Sequence, residues 1–382
     1  MDFNGLKYLV VGSGFFGSVF AERVASILGE RVLVIDKRDH IGGNSFSRTD
    51  PETNIEVHQY GSHIFHTSNQ KVIDYITRFA SFNRYRHRVL TVHKDRVYPM
   101  PVNLLTINSF FGRNYTPDQA RSLIERETME AGIFDPGNFE EKAISSIGRS
   151  LYEAFIKGYT RKQWEIDPKL LPSSIISRLP VRYNYLDGYF SDIFEGQPEM
   201  GYGQLFRSLL NHPKIEIRLG VDYFSIRDKV PSGCTVIYTG PIDQYFNYQL
   251  GSLQWRTVDL IEERIGVADF QGNSVINYAD VEVPFTRIHE FKHYHPERTQ
   301  STNQTIIQKE YSRKAVPGDV PYYPVNTLED AKLLKRYKEL AASEKNVIFG
   351  GRLGNYVYID MHQAIAMALN GFEKHHNEIT GR

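Results

Sequence analysis

V-G-S-G-F-F-G, Val11 to Gly17, decides the fold. It closes a short apolar run from Leu6 to Val11 whose composition is that of a buried parallel strand. A helix-like stretch follows, with Val19, Phe20, Val24 and Ile27 spaced for one face. A second apolar strand, Arg31 to Ile35, ends on Asp36. The order strand, glycine turn, helix, strand, acid is that of a dinucleotide-binding unit. Gly12 permits the tight turn, Gly14 admits a pyrophosphate to the backbone, and Gly17 lets helix and strand pack closely. The helix start, from Phe16, offers free N–H groups to the phosphates. Asp36 is placed to accept hydrogen bonds from the adenosine ribose.

Next comes K-R-D-H-I-G-G-N, Lys37 to Asn44, a second place where paired glycines bring backbone close to something. It resembles the R-x-x-x-G-G extension of FAD-binding proteins of the glutathione-reductase type, which points to Lys37, Gly43 and Asn44 as cofactor neighbours. Near the C-terminus, a strand from Asn346 to Phe349 runs into G-G-R-L-G-N-Y-V-Y-I-D-M. There Asp360 is placed to cap a helix through Ile365 and Leu369. One FAD domain is thus expected from both ends of the chain, favouring FAD over NAD.

The 382 residues suffice for two or three domains, and the 45 basic residues balance the 45 acidic ones. That balance argues against nonspecific nucleic-acid binding, which needs a basic face. The single cysteine, Cys234, sits in an apolar run and forms no intramolecular disulfide. Neither a signal peptide nor an apolar run of the ~20 residues needed to span a membrane is evident. A cytoplasmic protein is expected.

In the middle, Thr116 to Gln119 reads as a capped helix start. Asn138 and Glu141 start another, with Ile144, Ile147, Leu151 and Phe155 on one face, reaching Gly158. The stretches 86–99 and about 254–312 are strand-like. These predict an α/β fold: an FAD-binding Rossmann-like domain with an inserted helical bundle and a twisted antiparallel β-sheet domain. The expected divisions are 1–80, 196–245 and 318–382 for FAD, 101–178 for the bundle, and 81–100, 183–195 and 246–317 for the sheet. Thr327 to Ser343 is a further capped helix.

Further segments then fall in order: Y-G-S-H-I-F-H-T, N-L-L-T-I-N, K-G-Y-T-R-K-Q-W, S-R-L-P-V-R-Y-N-Y, T-G-P-I-D-Q-Y-F, V-P-F-T-R-I, K-E-Y-S and P-Y-Y-P-V. With the glycine segments they make nearly the whole chain resemble bacterial UDP-galactopyranose mutase. The resemblance implies an isomerase that interconverts UDP-galactopyranose and UDP-galactofuranose, supplying galactofuranose for cell-surface polysaccharide. Reduced flavin N5 is the nucleophile at the anomeric carbon, NADPH or NADH is the reductant, and a homodimer is implied. It follows that no side-chain nucleophile or carboxylate pair need carry the chemistry.

Residue by residue, the resemblance implies that Arg178, on a mobile loop near 165–182, and Arg287 grip the UDP diphosphate. Tyr185, Tyr311, Tyr358 and Asp360 lie around diphosphate and sugar. Tyr159 and Trp164 flank uridine and sugar, while His87 and Arg256 are substrate-proximal. Arg182 braces the loop. His63 and Ile64 lie against the flavin ring, with Arg352, Tyr358, Asp360 and Met361 also at the cofactor. The family usually has proline where Ser62 stands.

His63 and His66 have metal-like spacing, but no further ligand is suitably spaced, so no metal is expected. His289, His293 and His295 are expected on the surface. Two rivals are an FAD oxidoreductase acting on a nucleotide sugar and a non-catalytic binding protein akin to the Rab GDP-dissociation inhibitors.

Overall fold

A computed structural model describes residues 3–176, 181–298 and 303–381. Arg178 lies outside these residues. The first sheet is parallel throughout, in the order Val347–Phe349, Thr235–Tyr238, Tyr8–Val11, Val32–Asp36, Ile215–Leu219. Its strands read as near-continuous apolar runs because both faces are covered. Val10 and Val34 pack on one side with Phe16, Phe20, Ile365 and Phe372. Leu9, Leu33 and Ile35 pack on the other with Tyr223, Tyr238 and Tyr245. The outer strand Val347–Phe349 comes from the far end of the chain, so N- and C-terminal segments share one sheet.

The helix after the glycine turn runs Phe15–Arg23 and continues as a π-helix over Val24–Leu28. Val19, Phe20 and Val24 are buried as expected, but Ile27 is 52% exposed. The wider i→i+5 turn rotates its side chain off the face that a 3.6-residue period assigns.

The second sheet has seven strands in the order Tyr323–Pro324, Trp255–Ile265, Thr305–Lys314, Arg287–Glu290, Val275–Tyr278, Val89–His93, Arg96–Met100. Two features differ from the expectation. Val275–Tyr278 runs parallel to Val89–His93, because these strands are not joined by a hairpin and nothing forces the antiparallel sense. The edge strand Tyr323–Pro324 also pairs beyond residue 317, on Trp255–Arg256. The Val89–Met100 hairpin turns at Lys94 and Asp95, both at positive φ, as a two-residue primed turn requires.

The helical part packs beneath this sheet on Ile107, Ile124, Ile144, Leu151 and Phe155. Asn103, Thr116 and Asn138 cap its helices with side-chain oxygens. The helix expected to run unbroken from Asn138 towards Gly158 instead stops at Ile147, before Gly148 at φ +79, ψ 162. A Cβ there would lie 2.6 Å from Glu127 Oε2. That carboxylate accepts bonds from Ser150 N at 3.0 Å and Ser150 Oγ at 2.7 Å, starting the next turn. The chain resumes as Arg149–Leu151, a π-turn over Tyr152–Ile156, and the helix Lys157–Trp164. No helix among the described residues is long and apolar enough to cross a membrane.

Candidate active site

The site is built first from backbone. Gly12 stands at φ +100, and a Cβ on Gly17 would lie 2.0 Å from the Gly12 carbonyl oxygen, so glycine alone fits where helix meets strand. A Cβ on Gly43 would lie 3.1 Å from Gly14 Cα, so the two glycine segments touch backbone to backbone. Asp36 is buried and accepts from Ser13 N at 2.9 Å, Ser13 Oγ at 2.6 Å and Arg38 N at 3.1 Å. Most of the carboxylate's acceptor capacity is therefore spent on shaping the glycine turn. Asn44 accepts from Arg38 Nη2 at 2.7 Å, while its own buried Nδ2 has no bond partner among the described residues. Lys37 is exposed. The Phe16 ring is in the core and lies over Gly350, where a Cβ would sit 2.0 Å from Cζ. Only its backbone is at the helix N-terminus, and the ring instead locks the C-terminal glycine pair to the first helix.

The C-terminal segment brings Arg352, Tyr358, Asp360 and Met361 to the start of the long helix Met361–Thr380. Gln363 Oε1 accepts from the Asp360 N–H at 2.8 Å. Arg352 donates to the Pro321 carbonyl at 3.3 Å, and burial lowers the pKa of its guanidinium. Such a cation, poorly compensated, favours an anionic partner.

The loop Tyr60–Ile64 turns at Gly61, φ +82. His63 Nδ1 bonds the Gly61 carbonyl at 2.8 Å, and its N–H donates to His58 Nδ1 at 3.0 Å. Burial lowers the His63 pKa to about 4 against that carbonyl bond, with Arg352 and His289 pushing the same way. Ile64 is partly buried beside the helical core. His66 Nδ1 meets Asp192 Oδ2 at 2.7 Å, and its ring stacks on Phe190 with centroids 3.6 Å apart. Donor atoms of His66, Asp360 and His362 come within 4.8 Å of one another, a set that sequence spacing could not announce because its members come from opposite ends of the chain.

Arg287 occupies the first position of its strand, Arg287–Glu290. Its Nη2 donates to Tyr159 Oη at 2.5 Å, and its Nε lies 3.2 Å from Glu310 Oε1. Burial works against its charge, but Glu310 and then Tyr159 hold the pKa well above the usual value. Burial likewise opposes Glu310, and Arg287 followed by His289 lowers it to about 2. Tyr159 itself is pushed up, mainly by burial. Tyr323 stacks on Tyr358 at 5.7 Å and shares the electrostatic environment of Arg287, Tyr159 and Arg352. Tyr159, Arg287, Tyr358 and Arg352 therefore converge with the His63 loop. Trp164 is partly buried at the end of its helix, and Tyr311 meets Phe285 edge-on.

The remaining predicted residues are placed differently. Tyr185 is 63% exposed. Arg182 does brace the segment beyond it, donating to the Gly188 carbonyl and to those of Leu186 and Tyr189 at 3.5 and 3.4 Å. Arg256 is buried and taken up by protein groups: Glu165 at 2.9 Å, the Gln163 carbonyl at 3.2 Å and Ser312 Oγ at 3.2 Å. His87 is buried, its N–H bonded to Glu195 at 2.5 Å and its Nδ1 to Tyr85 Oη at 2.9 Å; burial takes its pKa to about 3. His289 and His295 are not on the surface. Each is 1% exposed, because strand Arg287–Glu290 faces a covered side of the sheet and Tyr294 turns the chain back inward.

Three contributors had gone unassigned: Glu310, Tyr323 and Lys162. The first two stand in the K-E-Y-S and P-Y-Y-P-V segments. Lys162 Nζ donates to four carbonyls, those of Tyr278, Asp280, Val283 and Phe285, at 2.7 to 3.0 Å, and so fixes the turn that delivers Arg287.

Residues 154–358 match the family model described as GLF, UDP-galactopyranose mutase, and residues 10–79 match a NAD(P)-binding Rossmann-like domain. The chain is 44% identical to a probable UDP-galactopyranose mutase from Klebsiella pneumoniae, over 96% of this chain and 94% of that one. It is 40% identical to the dTDP-fucopyranose mutase of Escherichia coli, over 95% and 96% of the two chains. The solved structure of a reduced UDP-galactopyranose mutase shares the fold at TM-score 0.76 and 17% identity, covering 98% of this chain and 96% of that one.

Proposed function

Since this chain belongs to the UDP-galactopyranose mutase family, we propose that it interconverts UDP-galactopyranose and UDP-galactofuranose on a reduced FAD. The observation that carries this is Arg287, held charged beside Glu310 and bonded to Tyr159. FAD fits the glycine cradle. The backbone approaches at Gly14 and Gly43, the unpartnered Asn44 Nδ2, and the undercompensated Arg352 are features that a dinucleotide would satisfy.

Bound there in reduced form, the flavin would supply the nucleophile for the anomeric carbon. The chain supplies position and charge. Arg287 holds the diphosphate as it leaves the sugar and keeps it close for its return, with Arg178 assigned the same task from the loop. Tyr159, Tyr358 and Tyr185 bond phosphate and sugar oxygens, and Trp164 packs on the uracil. Tyr311, Asp360 and His87 shape the sugar end. Arg256 acts behind Trp164 by fixing Gln163 and Glu165 rather than by touching substrate. His63, neutral at physiological pH, and Ile64 would present an uncharged surface to the flavin, and Met361 and Asp360 would help to hold it. Closure of the segment carrying Arg178 excludes water. We place the reaction in the cytoplasm, in a homodimer, with NADPH or NADH as reductant and cell-surface polysaccharide as the destination of the galactofuranose.

The dTDP-fucopyranose relative supports a second substrate class, because its identity to this chain is nearly as high. The test reduces purified yellow protein with dithionite, offers UDP-galactofuranose and dTDP-fucopyranose separately, and resolves the products by anion exchange. UDP-galactopyranose formed only by reduced protein is the expected result. Isomerisation of the thymidine sugar alone moves the assignment to that class. Yellow protein that oxidises a nucleotide sugar without isomerising it makes the chain an oxidoreductase, and colourless protein makes it a binding protein.

A further inference from the structure

A chain of hydrogen bonds runs from the His63 loop as far as Glu310, and an ion pair joins Glu310 to Arg287. Ser62 Oγ lies 2.5 Å from His289 Nδ1 and also bonds Tyr294 Oη. His289 Nε2 lies 3.3 Å from Glu310 Oε2, and Glu310 Oε1 lies 3.2 Å from Arg287 Nε. Thr286 Oγ1 also donates to Glu310, at 3.2 Å to Oε1. His289, Glu310 and Tyr294 are all buried.

With Glu310 ionised and His289 neutral, as their surroundings favour, every proton in this chain is fixed. Ionised Glu310 only accepts, so His289 carries its proton on Nε2. His289 Nδ1 is then an acceptor and takes the Ser62 hydroxyl proton. Having used its only proton, Ser62 accepts from the Tyr294 hydroxyl. The serine, histidine and carboxylate are the partners of a nucleophilic triad, but here the far end of the carboxylate is an arginine. The Ser62 oxygen also accepts from Tyr294, so the arrangement points at orientation rather than attack.

Resting on the function proposed above, we infer that Ser62 and His289 are positioning residues for the diphosphate arginine. Ser62 fixes the tautomer and ring plane of His289. His289 fixes the carboxylate plane of Glu310. Glu310 then aims the fork of Arg287 from behind, leaving Nη2 for Tyr159 and the remaining donors for phosphate. Because Ser62 adjoins His63, the same chain ties the flavin-side loop to the phosphate grip.

The test uses flavin-loaded protein and UDP as the probe, with Kd from titration calorimetry and flavin occupancy from the visible spectrum. Ser62→Ala is expected to weaken UDP roughly 3- to 10-fold, the range of one neutral hydrogen bond. His289→Leu is expected to weaken it further. His289→Gln keeps a donor for Glu310 and is expected to recover most of the affinity lost in His289→Leu. Flavin content stays unchanged throughout. Wild type that binds UDP while Ser62→Ala and His289→Leu bind it equally well overturns this inference alone. So does a His289→Gln no better than His289→Leu, which marks a merely structural network. Wild type that ignores UDP overturns the family function and this inference with it.

Discussion

In the function proposed above, Arg287 would meet phosphate with its orientation largely settled, because Glu310 and Tyr159 already hold two sides of the guanidinium. Each charge-assisted bond it forms is worth about 1.5–3 kcal/mol. Arg287→Ala should therefore weaken UDP roughly 10- to 150-fold or more, and turnover should nearly vanish. The flavin should stay, since Arg287 is not part of the glycine cradle. Absorbance of the purified variant checks that arm, and flavin loss there would misplace the residue. Gly17→Ala tests the opposite end. Its Cβ would meet the Gly12 carbonyl at 2.0 Å, and backbone cannot yield as a flexible side chain does. The expected product is colourless, less stable protein; full flavin occupancy would show that strand and helix can part without losing the cofactor. Gly17 was legible in the sequence because only glycine satisfies that approach. Ser62, His289 and Glu310 were not, because their meaning lies in a contact across three segments. His289 and His295 were misjudged for a related reason: a histidine-rich string looks solvated until a sheet covers it.

Among elements, the seven-stranded sheet and the helix Lys157–Trp164 meet at one cation. Lys162 offers three protons to four carbonyls of the turn before Arg287, so that turn keeps its shape only while the ammonium is present. Lys162→Met keeps the stem length and removes the donors, leaving partly buried carbonyls unpaired at about 1–3 kcal/mol each. UDP affinity should fall at least several-fold and the melting temperature should drop, with the flavin spectrum unchanged. Calorimetry and a thermal melt read both, and unaltered UDP binding would mean that the strand itself positions Arg287. The elements were largely visible from patterns of apolar residues and caps. What escaped was local interruption. Gly148 breaks the helix because Glu127 occupies the space of its Cβ, and a π-turn swings Ile27 outward. Neither feature changes composition or period enough to be read beforehand.

At the scale of the whole molecule, six histidines make stability depend on acidity. His58, His63, His87, His289, His295 and His375 are all lowered by burial first, His63 to about 4 and His87 to about 3. The unfolded chain takes up protons near the ordinary pKa of about 6.5, whereas the folded chain refuses them. Each group's contribution is therefore intact above that pH and declines as pH falls towards the folded value, by about 1.4 kcal/mol per unit. His293 opposes this, since Glu290 and Asp269 outweigh burial and raise it. The carboxylates Glu310 and Glu290, held at about 2, add their own loss only below the usual carboxylate range. Between about pH 6.5 and 4.5, then, the histidines dominate. Denaturant unfolding at pH 7, 6 and 5 should give a free energy that falls with rising steepness, reporting uptake of several protons on unfolding. His87→Asn, which cannot titrate, should shallow that slope by close to one proton. A flat profile across this range would mean that the buried rings are protonated in the native state, and that water or rearrangement reaches a cluster the packing closes off.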